Sequence, residues 1–165
     1  MKQPLLNNKF IFELENRIEG ELTAELMYRQ LSAQMQQIGY FGAAKFFLNE
    51  ANTEVGHYQR LIDFCNDLGV LPNITGAART MGTIETFYDA FKIAYNAELN
   101  LLNEYKKLSD MACNDDHAVF VISQEFVAEQ IKSVGEYGDL LATISLTKDN
   151  AAGLLQIDHE LGENE

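Results

Sequence analysis

The chain is 165 residues long, enough for one domain with a sizeable core. It carries 12 Lys and Arg against 25 Asp and Glu, a net charge of −13, which argues against a nucleic-acid ligand and suits the attraction of cations. With 47% hydrophobic residues it is too apolar for a disordered acidic tail, yet no segment approaches the apolar length of a membrane span. The start, Met1 to Asn8, is polar and lacks the apolar region of a signal peptide. Cys65 and Cys113 form neither a CxxC pair nor a zinc spacing. They are expected to be reduced packing residues of a cytoplasmic protein.

Long periodic segments separated by short breaks predict an all-α bundle in a single domain spanning residues 1–165. The first helix is expected over about residues 8–37, ending near Gly39, with Leu14, Ile18, Glu21, Tyr28, Leu31 and Met35 on its buried stripe. The second is expected over about 41–68. Gly69 stops it and Pro72 prevents continuation. Its stripe is Phe47, Ala51, Glu54, His57 with Tyr58, Leu61, Phe64 or Cys65, and Leu68. The tight break between these two helices makes them antiparallel neighbours. Residues 69–82, rich in Gly, Asn and Thr, are long enough to cross the whole bundle. The third helix is expected over about 84–113, with Thr83 as its N-cap. After a turn at Asn114-Asp115-Asp116, the fourth is expected over about 116–146. It carries Val119, Ile122, Phe126, Ser133, Tyr137, Leu140 and Ile144. A short amphipathic fifth helix over about 151–161 precedes the acidic C-terminus.

The apolar seam of the third helix contains an anomaly. Phe87, Phe91, Ala94, Leu101, Tyr105, Leu108 and Ala112 follow alternating steps of four and three, and Glu98 stands in register at their middle. Burying a lone ionised carboxylate costs several kcal/mol unless something compensates it. The other three stripes also carry polar groups near mid-helix. The first has Glu21, with Tyr28 two turns later on the same face. The second has Glu54-Val55-Gly56-His57, an ExxH whose carboxylate and imidazole project from one face and can share a metal. The fourth has Glu129 and Gln130. An isolated ExxH is usually a solvated helix face, Tyr28 could be an ordinary core tyrosine, and Gln130 a routine buried amide. Their coincidence at one depth on four helices is far more specific. Hard carboxylate oxygens that can bridge, plus one imidazole, suit a pair of iron ions with room left for dioxygen.

Over nearly its full length the chain resembles the non-haem ferritins. The segments are GELTAELMYRQLSAQM, FFLNEANTEVGHYQRLIDF, YNAELNLL, VAEQIKSVGEYGDLL and GLLQIDHEL, which resemble the family's four long helices and the start of its short fifth. The resemblance implies a ferritin-like antiparallel four-helix bundle with a long crossover between the second and third helices. It further implies a diiron ferroxidase centre that oxidises Fe2+ with dioxygen, and ferric mineral stored inside a twenty-four-subunit cage. Glu21, Glu54 and His57 would hold the first iron, and Glu54 would bridge to a second held by Glu98. Gln130 would hydrogen-bond a bound oxygen species or water. Tyr28 would assist beside the centre by holding a ligand carboxylate or supplying an electron.

Departures from the family narrow the expectation. Glu129 is followed three residues later by Lys132 rather than His, against a second ExxH of bacterioferritin type. Thr53, Lys132 and Ser133 stand where many bacterial ferritins add acids for a third iron, leaving only Glu129; Glu50 is a candidate for a transit iron. Two other functions fit the same architecture. A ferritin-like diiron oxidoreductase acting on peroxide or an organic substrate would prefer the missing second ExxH. A non-catalytic subunit would have lost one or more of Glu21, Glu54, His57 and Glu98, and all are present.

Overall fold

The computed structural model describes residues 4–76 and 82–163. Five helices follow one another: α1 (Asn8–Ile38), α2 (Phe41–Asp67), α3 (Phe87–Ala112), α4 (His117–Leu146) and α5 (Ala151–Glu163). The first residues of the chain and 77–81, within the expected crossover, lie outside the described residues.

Local chemistry sets the helix ends. The Asn7 side chain accepts from the Phe10 N–H at 3.2 Å and caps α1. Gly39, at φ 95°, closes its other end, where the Gly39 and Tyr40 N–H groups return to carbonyls of Gln36 and Met35. With only Gly39 and Tyr40 between them, α1 and α2 fold back as a hairpin. Asp116 caps α4 by accepting from the Val119 N–H at 3.1 Å.

The expected N-cap of α3 is corrected. The helix starts at Phe87, capped by Thr86 rather than Thr83. Thr86 Oγ1 accepts from the Asp89 N–H at 3.1 Å and donates to the Asp89 carboxylate at 2.7 Å. Asp89 also places negative charge in the first turn, where the helix dipole favours it. The preceding residues stay outside the helix, where the Ile84 N–H donates to Gln34 Oε1 of α1 at 2.6 Å and Ile84 is buried.

Most of the core divides into two apolar clusters, and their membership fixes the topology. One gathers the C-terminal half of α1, the N-terminal halves of α2 and α3, the C-terminal half of α4, and α5. The other gathers the opposite ends. Thus α1–α2 and α3–α4 are antiparallel pairs, and they carry the most extensive helix contacts. Helices α2 and α3 run parallel, so the crossover must travel the length of the bundle. It runs beside α1, with the Asn73 N–H on Glu15 Oε1 at 2.7 Å near one end and Gln34 Nε2 on the Gly82 carbonyl at 3.0 Å near the other. This is an all-α four-helix bundle with a long crossover and a short fifth helix.

That fifth helix covers the start of α2, where the N-cap, Tyr40, offers no side-chain bond. The buried Asp158 carboxylate supplies one instead, accepting from the Ala43 N–H at 2.7 Å. Gly42 permits the approach, since a Cβ there would fall 1.7 Å from the Asp158 carbonyl oxygen. The structure decides one alternative left open on the predicted stripes, shifts one position and changes one cysteine expectation. Cys65, not Phe64, is the fully buried choice on α2, and on α4 Leu141 is buried where Leu140 is only partly so. Cys113, expected as a packing residue, is exposed at the end of α3, while Cys65 is buried.

Candidate metal centre

Between the two apolar clusters lies a polar layer. Glu21 on α1, Glu54 on α2, Glu98 on α3 and Gln130 on α4 are all buried, and His57 on α2 is partly so. Among the described residues, ligand atoms of Glu21, Glu54 and His57 lie within 4.8 Å of one another. His57 Nδ1 is 2.7 Å from Glu54 Oε2, the i,i+3 contact that the ExxH spacing predicts, and 3.6 Å from Glu21 Oε2. Two acceptors, Glu21 Oε2 and Gln130 Oε1, are buried without a hydrogen-bond donor among the described residues. A buried carboxylate oxygen left in this way is a poor arrangement for stability and a good one for a cation.

Two tyrosines complete the layer. The Tyr28 hydroxyl donates to Glu98 Oε1, and the Tyr105 hydroxyl donates to Glu21 Oε1. Spacing and topology explain this exchange together. Each tyrosine follows a glutamate of its own helix by seven residues, about two turns along one face. Because α1 and α3 are antiparallel, the tyrosine of each helix arrives level with the glutamate of the other. The role of Tyr105 was not evident from the sequence, where it stood as one more apolar seam residue. The signal available was its distance from Glu98, which repeats the distance of Tyr28 from Glu21.

The charges in this layer are strongly coupled. Burial pushes the Glu54 carboxyl up to about 9, with repulsion from Glu21 adding to it against the pull of the His57 hydrogen bond. Burial also raises Glu98, to about 7, despite the hydrogen bond from Tyr28. For Glu21, burial works upward too, but the close approach of His57 and Glu54, the His57 charge and the Tyr105 hydrogen bond together outweigh it, and the net direction is down. Burial alone would favour a neutral His57 ring; its contacts with Glu21 and Glu54 instead hold its pKa up, at about 10. With no metal bound, Glu54 therefore keeps a proton, while ionised Glu21 faces a charged His57.

Glu129 and Glu50 have other partners. Arg60 grips both oxygens of Glu129, at 2.8 and 3.0 Å, and lies over the Phe126 ring at 3.9 Å from its centroid. Glu129 Oε2 remains 3.9 Å from His57 Nε2. No sequence pattern singles out Arg60. It stands three residues after His57 on α2, the residue one turn further along that face. Glu50 accepts a hydrogen bond from Tyr137 at 3.1 Å and lies outside the three-ligand group.

Bundle and polar layer together define a helical protein with a buried carboxylate and imidazole group of metal-binding type. Residues 11–147 match the ferritin family, described as a ferritin-like domain. A bacterial non-heme ferritin of Escherichia coli is 29% identical over 95% of this chain and 96% of its own, and one of Staphylococcus aureus is 22% identical over 96% of each. Among solved structures, an open-pore ferritin of Archaeoglobus fulgidus superposes with a TM-score of 0.94 at 22% identity, covering 97% of this chain and 99% of that one. An engineered closed form of the same ferritin also gives 0.94, at 23% identity. The chain belongs to the ferritin family, as its sequence motifs implied, with bacterial non-haem ferritins as its curated relatives. No described helix is long and apolar enough to cross a membrane.

Proposed function

We propose that this protein is a cytoplasmic iron-storage ferritin that oxidises Fe2+ with dioxygen at a diiron centre within each subunit. The observation that carries the reading is the convergence of Glu21, Glu54 and His57, with an orphaned Glu21 oxygen, in a layer that also contains buried Glu98 and Gln130. The first Fe2+ binds Glu21, Glu54 and His57. Glu54 bridges to the second, which Glu98 also holds. Binding displaces the protons that neutralise Glu54 and Glu98, and the metal charge takes over that task. Each iron gives one electron to dioxygen. Gln130 hydrogen-bonds the oxygen ligand or a water beside it, while Tyr105 and Tyr28 orient Glu21 and Glu98. The ferric product passes to a mineral held in a homo-oligomeric shell of twenty-four subunits.

The pairing of Glu129 with Arg60 supports a two-iron centre over a three-iron one, because a guanidinium already neutralises that carboxylate. Exposed Phe12, Leu26, Leu71 and Ile74 are apolar surface suited to subunit contacts. Aerobic addition of Fe2+ to the purified apoprotein should give a rapid ultraviolet absorbance of ferric oxo species, lost on Glu54→Gln. An assembled protein that oxidises iron no faster than buffer sinks the ferroxidase assignment. Size-exclusion chromatography tests storage separately, since a stable monomer or dimer cannot enclose a mineral.

A further inference from the structure

Tyr137 belongs to none of the proposed metal-ligand contacts, yet its position is highly specified. It is buried on α4, which runs parallel to α1, and it meets Tyr28 at the same level of the bundle. The two rings stack with centroids 6.2 Å apart and planes 14° from parallel. The Tyr28 hydroxyl points to Glu98, and the Tyr137 hydroxyl donates to Glu50 Oε2 at 3.1 Å. An unbroken line therefore runs Glu98, Tyr28, Tyr137, Glu50. Phe47 stacks against Tyr28, and Phe46 and Phe91 pack around Tyr137, so the pair sits in an aromatic sheath. Glu50 is itself largely withdrawn from solvent, and burial raises its carboxyl pKa, which makes its ionised form a stronger proton acceptor.

We propose that Tyr137 is a second electron donor to the iron centre, acting through Tyr28, with Glu50 as the acceptor of its proton. The inference rests on the ferroxidase reading. Dioxygen needs four electrons and four protons to leave as two waters, and two Fe2+ supply two of the electrons. Tyr28 gives the third, its phenolic proton moving along the hydrogen bond to Oε1 of Glu98, which keeps its other oxygen for iron. Tyr137 then reduces the Tyr28 radical. One electron crosses the stack, the proton returns from Glu98 to Tyr28, and the Tyr137 proton moves to Glu50. Tyr28 gives the fourth electron in the same way as the third. Both tyrosines are left as neutral radicals, with their protons on Glu98 and Glu50. Two further Fe2+ reduce them as those protons return. The sum is four Fe2+ oxidised for one dioxygen and four solvent protons, giving four Fe3+ and two waters.

The test is rapid freeze-quench electron paramagnetic resonance after aerobic mixing of the assembled apoprotein with two Fe2+ per subunit, with hydrogen peroxide assayed in parallel. Ring-deuterated tyrosine identifies the radical as tyrosyl. The unmodified protein should show two tyrosyl components and release little peroxide. Tyr137→Phe keeps the ring and its stacking. It should remove one radical component and raise peroxide release several-fold. Glu50→Gln retains both tyrosines and should suppress the same component. Rapid iron oxidation with unaltered radical spectra and peroxide yield in both variants overturns this inference and leaves the ferroxidase reading standing. Absence of rapid oxidation in the unmodified protein overturns both.

Discussion

Tyr105→Phe isolates one hydroxyl at the heart of the proposed site. The Tyr105 ring is fully buried and stacks on Phe126, with centroids 4.6 Å apart and planes 8° from parallel. Phenylalanine keeps that ring and its stacking, so the substitution removes only the bond to Glu21. Glu21 is also fully buried, and its other oxygen already has no hydrogen-bond donor. A hydrogen bond to a charged group contributes about 1.5–3 kcal/mol, and the apoprotein should lose about that much stability. For a chain of this size each kcal/mol is worth roughly 2–4 °C, so the apparent Tm should fall by several degrees at fixed protein concentration. Metal affinity should fall about 10–100-fold, the usual range for loss of a partner that orients a ligand. Thermal unfolding of the apoprotein and anaerobic Fe2+ titration read the two effects separately. A variant with unchanged stability and unchanged affinity would refute the claim that Tyr105 holds Glu21 for the metal.

Other perturbations test the electrostatics and the packing. Glu98 and Glu54 hold protons at neutral pH, with pKa values near 7 and 9, so anaerobic Fe2+ binding should release protons and strengthen as pH rises from 6 to 8; calorimetry in buffers of different ionisation enthalpy detects this, and binding independent of pH and buffer would contradict it. Because the folded pKa of Glu98 exceeds its ordinary value of about 4.3, its contribution to apoprotein stability is full below that value and is lost as pH rises through about 7, a trend that denaturant titrations should show and bound metal should reverse. Gly42→Ala should loosen α5 from α2, because the new methyl would collide with the Asp158 backbone; hydrogen exchange confined to 151–163 should accelerate, and unchanged protection would show that the contact is yielding. Arg60→Met retains a flexible side chain beside Phe126 but releases Glu129, so anaerobic metal stoichiometry should rise above two per subunit; an unchanged count would mean that Arg60 does not restrain Glu129.

The parts of the fold that were legible in the sequence are those written in local chemistry. Apolar periodicity marks the four long helices, and Gly39 and Gly69 mark two of their ends at positive φ. The ExxH pair was legible because residues three apart on a helix must share a face, and the Glu54–His57 contact is of that kind. Thr83 misled because threonine is a fair cap at either position. Thr86 prevails through Asp89 in the following turn and through Gln34, fifty residues away, which takes the Ile84 N–H outside the helix. The partners of Tyr105, Arg60 and Tyr137 depend on which helices run parallel and which antiparallel. No local pattern states that, and it emerges only once the crossover has carried α3 back beside α2.

The same topology explains why three tyrosines recur at one spacing with three different consequences. Tyr28, Tyr105 and Tyr137 each stand seven residues after Glu21, Glu98 and Gln130 on their own helices. Between antiparallel α1 and α3, that spacing produces reciprocal bonds, each phenol serving the opposite helix's carboxylate. On α4, parallel to α1, it instead sets Tyr137 beside Tyr28, where the rings stack and the two hydroxyls serve different carboxylates, Glu98 and Glu50. The two carboxylates so held are buried, and either would be costly to bury alone and ionised. In the apoprotein, phenol donors, a charged His57 and retained protons offset that penalty. Each of these compensations can be surrendered when a cation arrives. A centre neutralised by protons that a metal can displace is suited to a metal that binds, reacts and departs. The free oxygens of Glu21 and Gln130 mark where the protons and phenols leave the balance incomplete.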